Sequence, residues 1–223
     1  MARLRAIDPK LLEDDLGSFI ELEEEVRWLP LPADAAKLEA WRLPEVWLLA
    51  LSGKSSAPEK VAALWAELES LLPRTLAIFT EKLYGLALLS TKERGLSLIY
   101  VFNDDGDLSA QRGFAPPPAL PAVAERFPVD LAPLYHVHDG LVNFMSEDGG
   151  PLPIAEWKTL VDPVSREESL VKIAINGPDA FGFDISEEPV KAYAIWPEEE
   201  EVEVVEDPWA FLDELIAAPF EDE

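Results

Sequence analysis

With 223 residues, 48% of them apolar, the chain can bury a substantial core, so a folded globular protein is expected. Its 44 acidic residues against 18 basic ones give a formal charge of -26, a field that repels phosphate backbones and anionic lipid; this argues against nucleic-acid and membrane binding and suits a basic protein partner. Cysteine is absent, which removes disulfides, thiolate nucleophiles and sulfur-rich metal sites.

The opening MARLRAIDPKLLEDDLG has arginines but no apolar signal-peptide core, and the longest apolar runs, such as VWLLAL, fall far short of a membrane span. A cytoplasmic protein is expected. Residues 9–25 place Leu12, Leu16, Phe19 and Leu22 on one helical face, with Gly17 weakening the middle. Ala33 to Trp41 reads as a short helix, and Val46 to Leu51 as either a strand or a buried helical turn. Ser55 or Ser56 can cap the next helix and Pro58 suits its first turn. Val61, Leu64, Trp65, Leu68, Leu71 and Leu72 then recur at helical spacing up to a stop at Pro73. TLAIFT, YGLALLS and LSLIYVF read as strands, and the turn signals KERG and NDDGD make an antiparallel meander the economical arrangement.

The prolines of FAPPPALPAV prevent a central strand or an unbroken helix, so this stretch is the candidate linker. It separates an N-terminal helical and small-sheet region, residues 1–114, from residues 115–223, although the two can share a core. Beyond it, Asp130 can cap a helix with Pro133 in its first turn, Leu131, Leu134, Tyr135 and His138 on one face, and Gly140 as its stop. A brief helix after Pro153 is followed by the strand-like segments SLVKIAI, AFGFDI, VKAYAIW and EVEVVE. Asp207 caps a final helix with Pro208 in its first turn; Trp209, Leu212, Leu215 and Ile216 form an apolar stripe suited to covering a sheet.

Taken in order, Phe127-Pro128, DLAPLYHVHDGL, Gly150 to Trp157, the strands through Phe183 and Val190 to Trp196, and DPWAFLDELI resemble the SMI1/KNR4 (SUKH) superfamily over residues 115–220. The matching positions are Pro128, Leu131, Leu134, Tyr135, Asp139 and Gly140, then Gly150, Leu152, Pro153 and Ile154. The resemblance implies an α+β fold, with a mixed, largely antiparallel sheet packed against helices, and a binding role without catalysis. Bacterial members of that superfamily include immunity proteins that neutralise co-encoded toxins, often nucleases, and fungal members are regulatory binding proteins. The N-terminal region here is longer and richer in tryptophan than a minimal domain of that kind.

His136 and His138 stand two positions apart, which on a helix points them about 200° away from each other, so they do not converge on a metal with Asp139. His138 reads instead as a helix-end residue that packs its ring and favours the C-terminal dipole, His136 as its solvent-facing neighbour, and Asp139 as a turn residue before Gly140. Asn103 to Asp107 has the oxygen density of a calcium loop without its spacing and reads as an exposed hairpin turn. The chain has no G-x-S-x-G elbow, and SGKSS lacks the glycine frame of a phosphate loop. No catalytic residue, metal or cofactor is therefore expected; the alternative, a carboxylate- and metal-dependent hydrolase, would need carboxylates converging in a pocket. The expected surface is protein-binding: Trp157 beside a rim of Asp139, Glu147, Asp148, Glu156, Glu198, Glu199, Glu200 and Glu201, facing a basic partner such as a toxin. Trp65 and Trp209 lie on apolar stripes and read as core.

Overall fold

The computed structural model describes residues 7–33, 35–52, 55–104, 107–161, 168–186, 188–196, 198 and 201–220. The chain is α+β, with helices packed against two largely antiparallel sheets.

Helix α1 (Pro9–Leu16) starts where the Asp8 carboxylate accepts the Lys10 N–H at 3.0 Å and Pro9 fills a first-turn position that needs no donor. The helix expected over residues 9–25 ends at Leu16 and tightens into a 3-10 turn, Gly17–Ile20. The tighter winding moves the buried position from Phe19 to Ile20, leaving Phe19 and Leu22 exposed. Strand β1 (Arg27–Pro30) follows, then helices α2 (Ala35–Ala40) and α3 (Glu45–Leu51). The ambiguous apolar run from Val46 to Leu51 is thus helical, and the ammonium of buried Lys60 closes its C-terminal end by donating to the Leu51 carbonyl at 2.6 Å.

Helix α4 (Ala57–Leu64) has a reciprocal cap: Ser56 accepts the Glu59 N–H, and Glu59 accepts the Ser56 N–H. Its apolar stripe continues to Leu72 through a 3-10 turn, Ala66–Leu68, instead of one unbroken helix. Pro73 then opens helix α5 (Pro73–Lys82), so TLAIFT is helical and not a strand. The reason lies far along the chain. Leu72 offers no capping side chain, and the buried Asp213 carboxylate supplies the cap, accepting the Arg74 N–H at 2.9 Å and the Thr75 N–H at 2.8 Å across 139 and 138 residues.

Strands β2 (Leu83–Thr91) and β3 (Gly95–Asp104) are the expected YGLALLS and LSLIYVF, but the third strand of the antiparallel meander is β4 (Asp107–Phe114) in place of TLAIFT; the Asn103 to Asp107 segment is its hairpin end, with Asp104 paired to Asp107, and Asp105 and Gly106 lie outside the described residues. After helix α6 (Ala132–Val137), strand β5 (Leu141–Asn143) adds to β4, completing a sheet ordered β1-β2-β3-β4-β5. The second sheet uses β6 (Gly150–Pro151), β7 (Thr159–Val161), β8 (Glu168–Asn176), β9 (Asp179–Asp184), β10 (Lys191–Trp196) and β11 (Glu201–Val204). Its order is β11-β10-β9-β8-β6, with β7 pairing beside β6 on the same flank of β8. The brief helix expected after Pro153 is a 3-10 turn, Ile154–Glu156. Helix α7 (Pro208–Ala217) is capped by Asp207, which accepts the Trp209 and Ala210 N–H groups, each at 3.1 Å.

Strands β2 and β3 are apolar on both faces because both faces are covered. Leu86, Leu88, Leu98 and Tyr100 join the helices and the second sheet's Val171, Ile173, Phe181 and Phe183 in the main core. On the other face, Ala87, Leu89, Ile99 and Val101 lie beneath Leu12, Leu16 and Ile20 of the N-terminal strap. Residues from both sides of the proline-rich stretch at 115–121 contribute to the main core.

Gln111 on β4 is fully buried on the Tyr100 side of the sheet, and neither end of its amide meets a partner among the described residues. A buried amide without partners costs about 1–3 kcal/mol. Gln111→Met is therefore expected to raise the unfolding free energy by about 1 kcal/mol or more, measured by urea denaturation at constant slope; a loss of stability would mean the amide is satisfied. Asp213→Ala should lower it by about 2 kcal/mol, since the buried Thr75 amide and the part-buried Arg74 amide of α5 lose their acceptor.

Candidate functional site

Pro133 occupies the first turn of α6 as expected, but the N-cap is Leu131, one residue after the expected Asp130, and it has no side-chain cap; the Asp130 carboxylate instead accepts the Ala132 N–H at 2.9 Å in the turn leading in. It ends at Val137, and His138 continues in extended conformation with its ring turned into the core. There the imidazole lies among Trp47, Tyr100 and Trp65, at centroid distances of 5.4, 5.6 and 6.2 Å.

The polar contacts fix its proton. Trp65 Nε1–H, which can only donate, reaches the Tyr100 hydroxyl oxygen at 2.8 Å. The Tyr100 O–H is then free to donate to His138 Nε2, 2.6 Å away, which leaves the ring hydrogen on Nδ1, facing the Phe114 carbonyl at 3.4 Å. Burial pushes His138 down to about 3, outweighing the Phe114 carbonyl, and pushes the Tyr100 hydroxyl up. His138 is thus a neutral core residue, which corrects the expectation that it favours the helix dipole as a cation. His136 is exposed, and the two imidazoles do not meet. Gly113 permits the arrangement: a Cβ there would lie 2.4 Å from His138 Nδ1.

The next turn joins the two segments that carry the SMI1/KNR4 resemblance. Asp139 Oδ1 accepts the Ile154 N–H at 2.8 Å, and burial raises this carboxyl while that hydrogen bond opposes it. Gly140 has φ +85°, and a Cβ on it would come within 2.5 Å of the Pro153 nitrogen, so both backbone conformation and close approach require glycine. The Tyr135 hydroxyl donates to the Leu152 carbonyl at 2.7 Å, and the Trp157 indole N–H sits 3.1 Å from the same hydroxyl. Leu131, Leu134 and Tyr135 are buried; Pro128 lies in the approach to α6, Pro153 precedes the 3-10 turn, and half-buried Trp209 packs against the main core.

The expected acidic rim is divided. Glu156 and Glu147 both hold Arg94, at 2.5 and 2.9 Å, and Asp148 accepts from Ser146 and, at 2.9 Å, from the Gly177 N–H. These acids, with Asp139 and Trp157, cluster near the β6 edge of the second sheet. Glu198 and Glu201 are exposed at the β10–β11 connection, the opposite edge, four strand spacings or roughly 19 Å away; Glu199 and Glu200 lie outside the described residues. Between them, at the same end of the sheet, an open apolar groove runs along Phe181, Trp196, Phe211 and Leu215, with Asp179 at its border.

Sequence reasoning missed one buried ion pair. Arg112, 1% exposed on β4, binds Glu23 through Nη1 at 2.6 Å and Nη2 at 3.2 Å, which ties the N-terminal strap to the sheet. Burial works upward on Glu23, but hydrogen bonds from Arg112 and Thr91 outweigh it and hold the carboxyl below its ordinary value. The only signal was an arginine in a segment whose strand character the polar letters of DLSAQRGF concealed. Among the described residues, no three histidine or carboxylate groups gather as ligands for a metal ion, and no helix is long and apolar enough to cross a membrane.

Compared with known proteins, the chain matches no family model, no curated protein and no solved structure.

The depressed His138 sets the sign of a pH effect. Below about pH 6.5 the unfolded imidazole takes up a proton that the folded one refuses until about 3, so its contribution to stability is complete above that window and falls by about 1.4 kcal/mol per unit as pH drops through it. Urea unfolding from about pH 7 to about pH 5 should show this slope, and His138→Gln should flatten it by one proton. The His138 ring resonances should stay fixed across the same range; movement there would mean that the imidazole titrates in the native state.

Proposed function

We propose that this chain is a binding protein without chemistry of its own, and that its partner is a basic protein. The observation that carries the reading is an apolar groove bordered by carboxylates on a chain of net charge -26. Apolar area supplies affinity where water is excluded, while surrounding charge steers the encounter and rejects partners of the same sign. The histidines do not compete with this reading, because His138 uses both ring nitrogens inside the core and His136 lies outside it. The resemblance to SMI1/KNR4 proteins narrows the class to an immunity-type inhibitor, in which carboxylates would cover the phosphate-binding cleft of a nuclease-type toxin. A regulatory interaction would use the same surface.

The test is to use the full chain as bait, identify what it retains at low salt, and repeat the capture at high salt. Screening shortens from about 10 Å at 0.1 M to about 3 Å at 1 M, so a charge-steered complex should weaken markedly. Purified partners should be basic and should lose affinity for Glu198→Gln/Glu201→Gln. Partners that are acidic, or complexes indifferent to both salt and substitution, would refute the proposal; turnover of a substrate by carboxylates of the chain would replace it with an enzyme.

A further inference from the structure

The groove at the end of the second sheet has a defined build. Its floor is β9 and β10, through Phe181, Ala194 and Trp196, and one wall is α7, whose Phe211 stacks on Phe181 at a centroid distance of 5.0 Å and whose Leu215 extends the apolar side. The other side is acidic by register. Glu201 lies opposite Trp196 and Glu203 opposite Ala194, and directly opposed residues in an antiparallel pair share a face, so both glutamates flank the floor one strand spacing away. Asp179 borders the groove at the start of β9, and none of the residues lining it is basic.

Resting on the basic-partner reading above, we infer that this groove is the docking point for an extended segment of the partner in which one large apolar side chain is flanked by lysine or arginine. The groove is open on one side, and Phe181, Trp196, Phe211 and Leu215 offer apolar contact to a side chain laid across it. Charge selects the occupant. A second copy of this chain would bring another -26 charge against Asp179, Glu201 and Glu203, and the chain's own last residues, Glu221, Asp222 and Glu223, carry the same sign. A cation on either side of an apolar anchor meets Asp179 across the floor from Glu201 and Glu203, while the anchor displaces water from Trp196 and Leu215.

The probe is a synthetic capped peptide, Lys-Lys-Phe-Lys-Lys, titrated into the full-length protein while the indole N–H resonance of Trp196 is followed; the resonance is assigned by its disappearance in Trp196→Phe. The peptide should shift that resonance saturably, with affinity about tenfold weaker when its Phe is replaced by Ala, as burial of one aromatic side chain requires. Glu201→Gln/Glu203→Gln should weaken it several-fold, and Leu215→Arg, with the rest of the spectrum unchanged, should abolish it. Equal binding of the Phe and Ala peptides would overturn the groove and leave only a diffuse acidic surface. Equal binding of Glu-Glu-Phe-Glu-Glu would overturn the charge selection, and no shift of Trp196 with any peptide would overturn the site. A basic partner captured by the bait experiment and still held by Leu215→Arg would remove this docking site alone, with the basic-partner reading intact.

Discussion

The structure depends on a neutral hydrogen-bond chain buried where its parts meet: Trp65 after α4, Tyr100 on β3, His138 at the end of α6 and the Phe114 carbonyl ending β4. Each group has one direction in which it can act, since the indole only donates, so the phenol donates onward and the imidazole passes the direction to the carbonyl. Three polar side chains are buried in this way without a net charge. The aromatic rings around them, with Trp47 donating to the Val137 carbonyl at 2.8 Å, bury large apolar area on the same spot. Because the members lie on separate helices and strands, the chain sets how the helical layer sits on the first sheet, and Gly113 is the opening that lets the ring approach the strand.

That arrangement also keeps the two imidazoles apart. One imidazole is committed to holding the fold, with its basic nitrogen occupied by a tyrosine proton. The other, His136, is exposed two residues earlier. Most acids of the β6 edge are committed too, to Arg94 and to the backbone amides of Ile154 and Gly177. The β11 edge differs: its glutamates Glu201 and Glu203 stand beside the apolar groove walls.

The N-terminal strap adds a layer that a single sheet face would otherwise expose. Leu12, Leu16 and Ile20 cover Ala87, Leu89, Ile99 and Val101, and the Glu23–Arg112 pair fixes the end of the strap. Removing either partner of such a pair leaves a buried or half-buried charge uncompensated, so the pair specifies the strap's position more than it adds net stability.

Local signals in the sequence determined the elements whose ends are closed by near neighbours. The serine-capped start with Pro58 in its first turn and the Asp207-Pro208 start were readable because donor and acceptor lie within a few residues, and the alternating or continuous apolar runs of β2, β3 and β8 to β11 were readable because the strand period is local. Tertiary structure decided what depended on distant partners. TLAIFT became helix under a carboxylate 138 residues away, the 9–25 stripe broke where the sheet below demanded Ile20, and β4 was a strand despite its polar letters because β3 and β5 pair with it on either side. The acids followed the same rule: their number is written in the sequence, but which of them neutralise an arginine and which border an open apolar groove depends on strand register and sheet order, which bring residues together through space and leave no period along the chain.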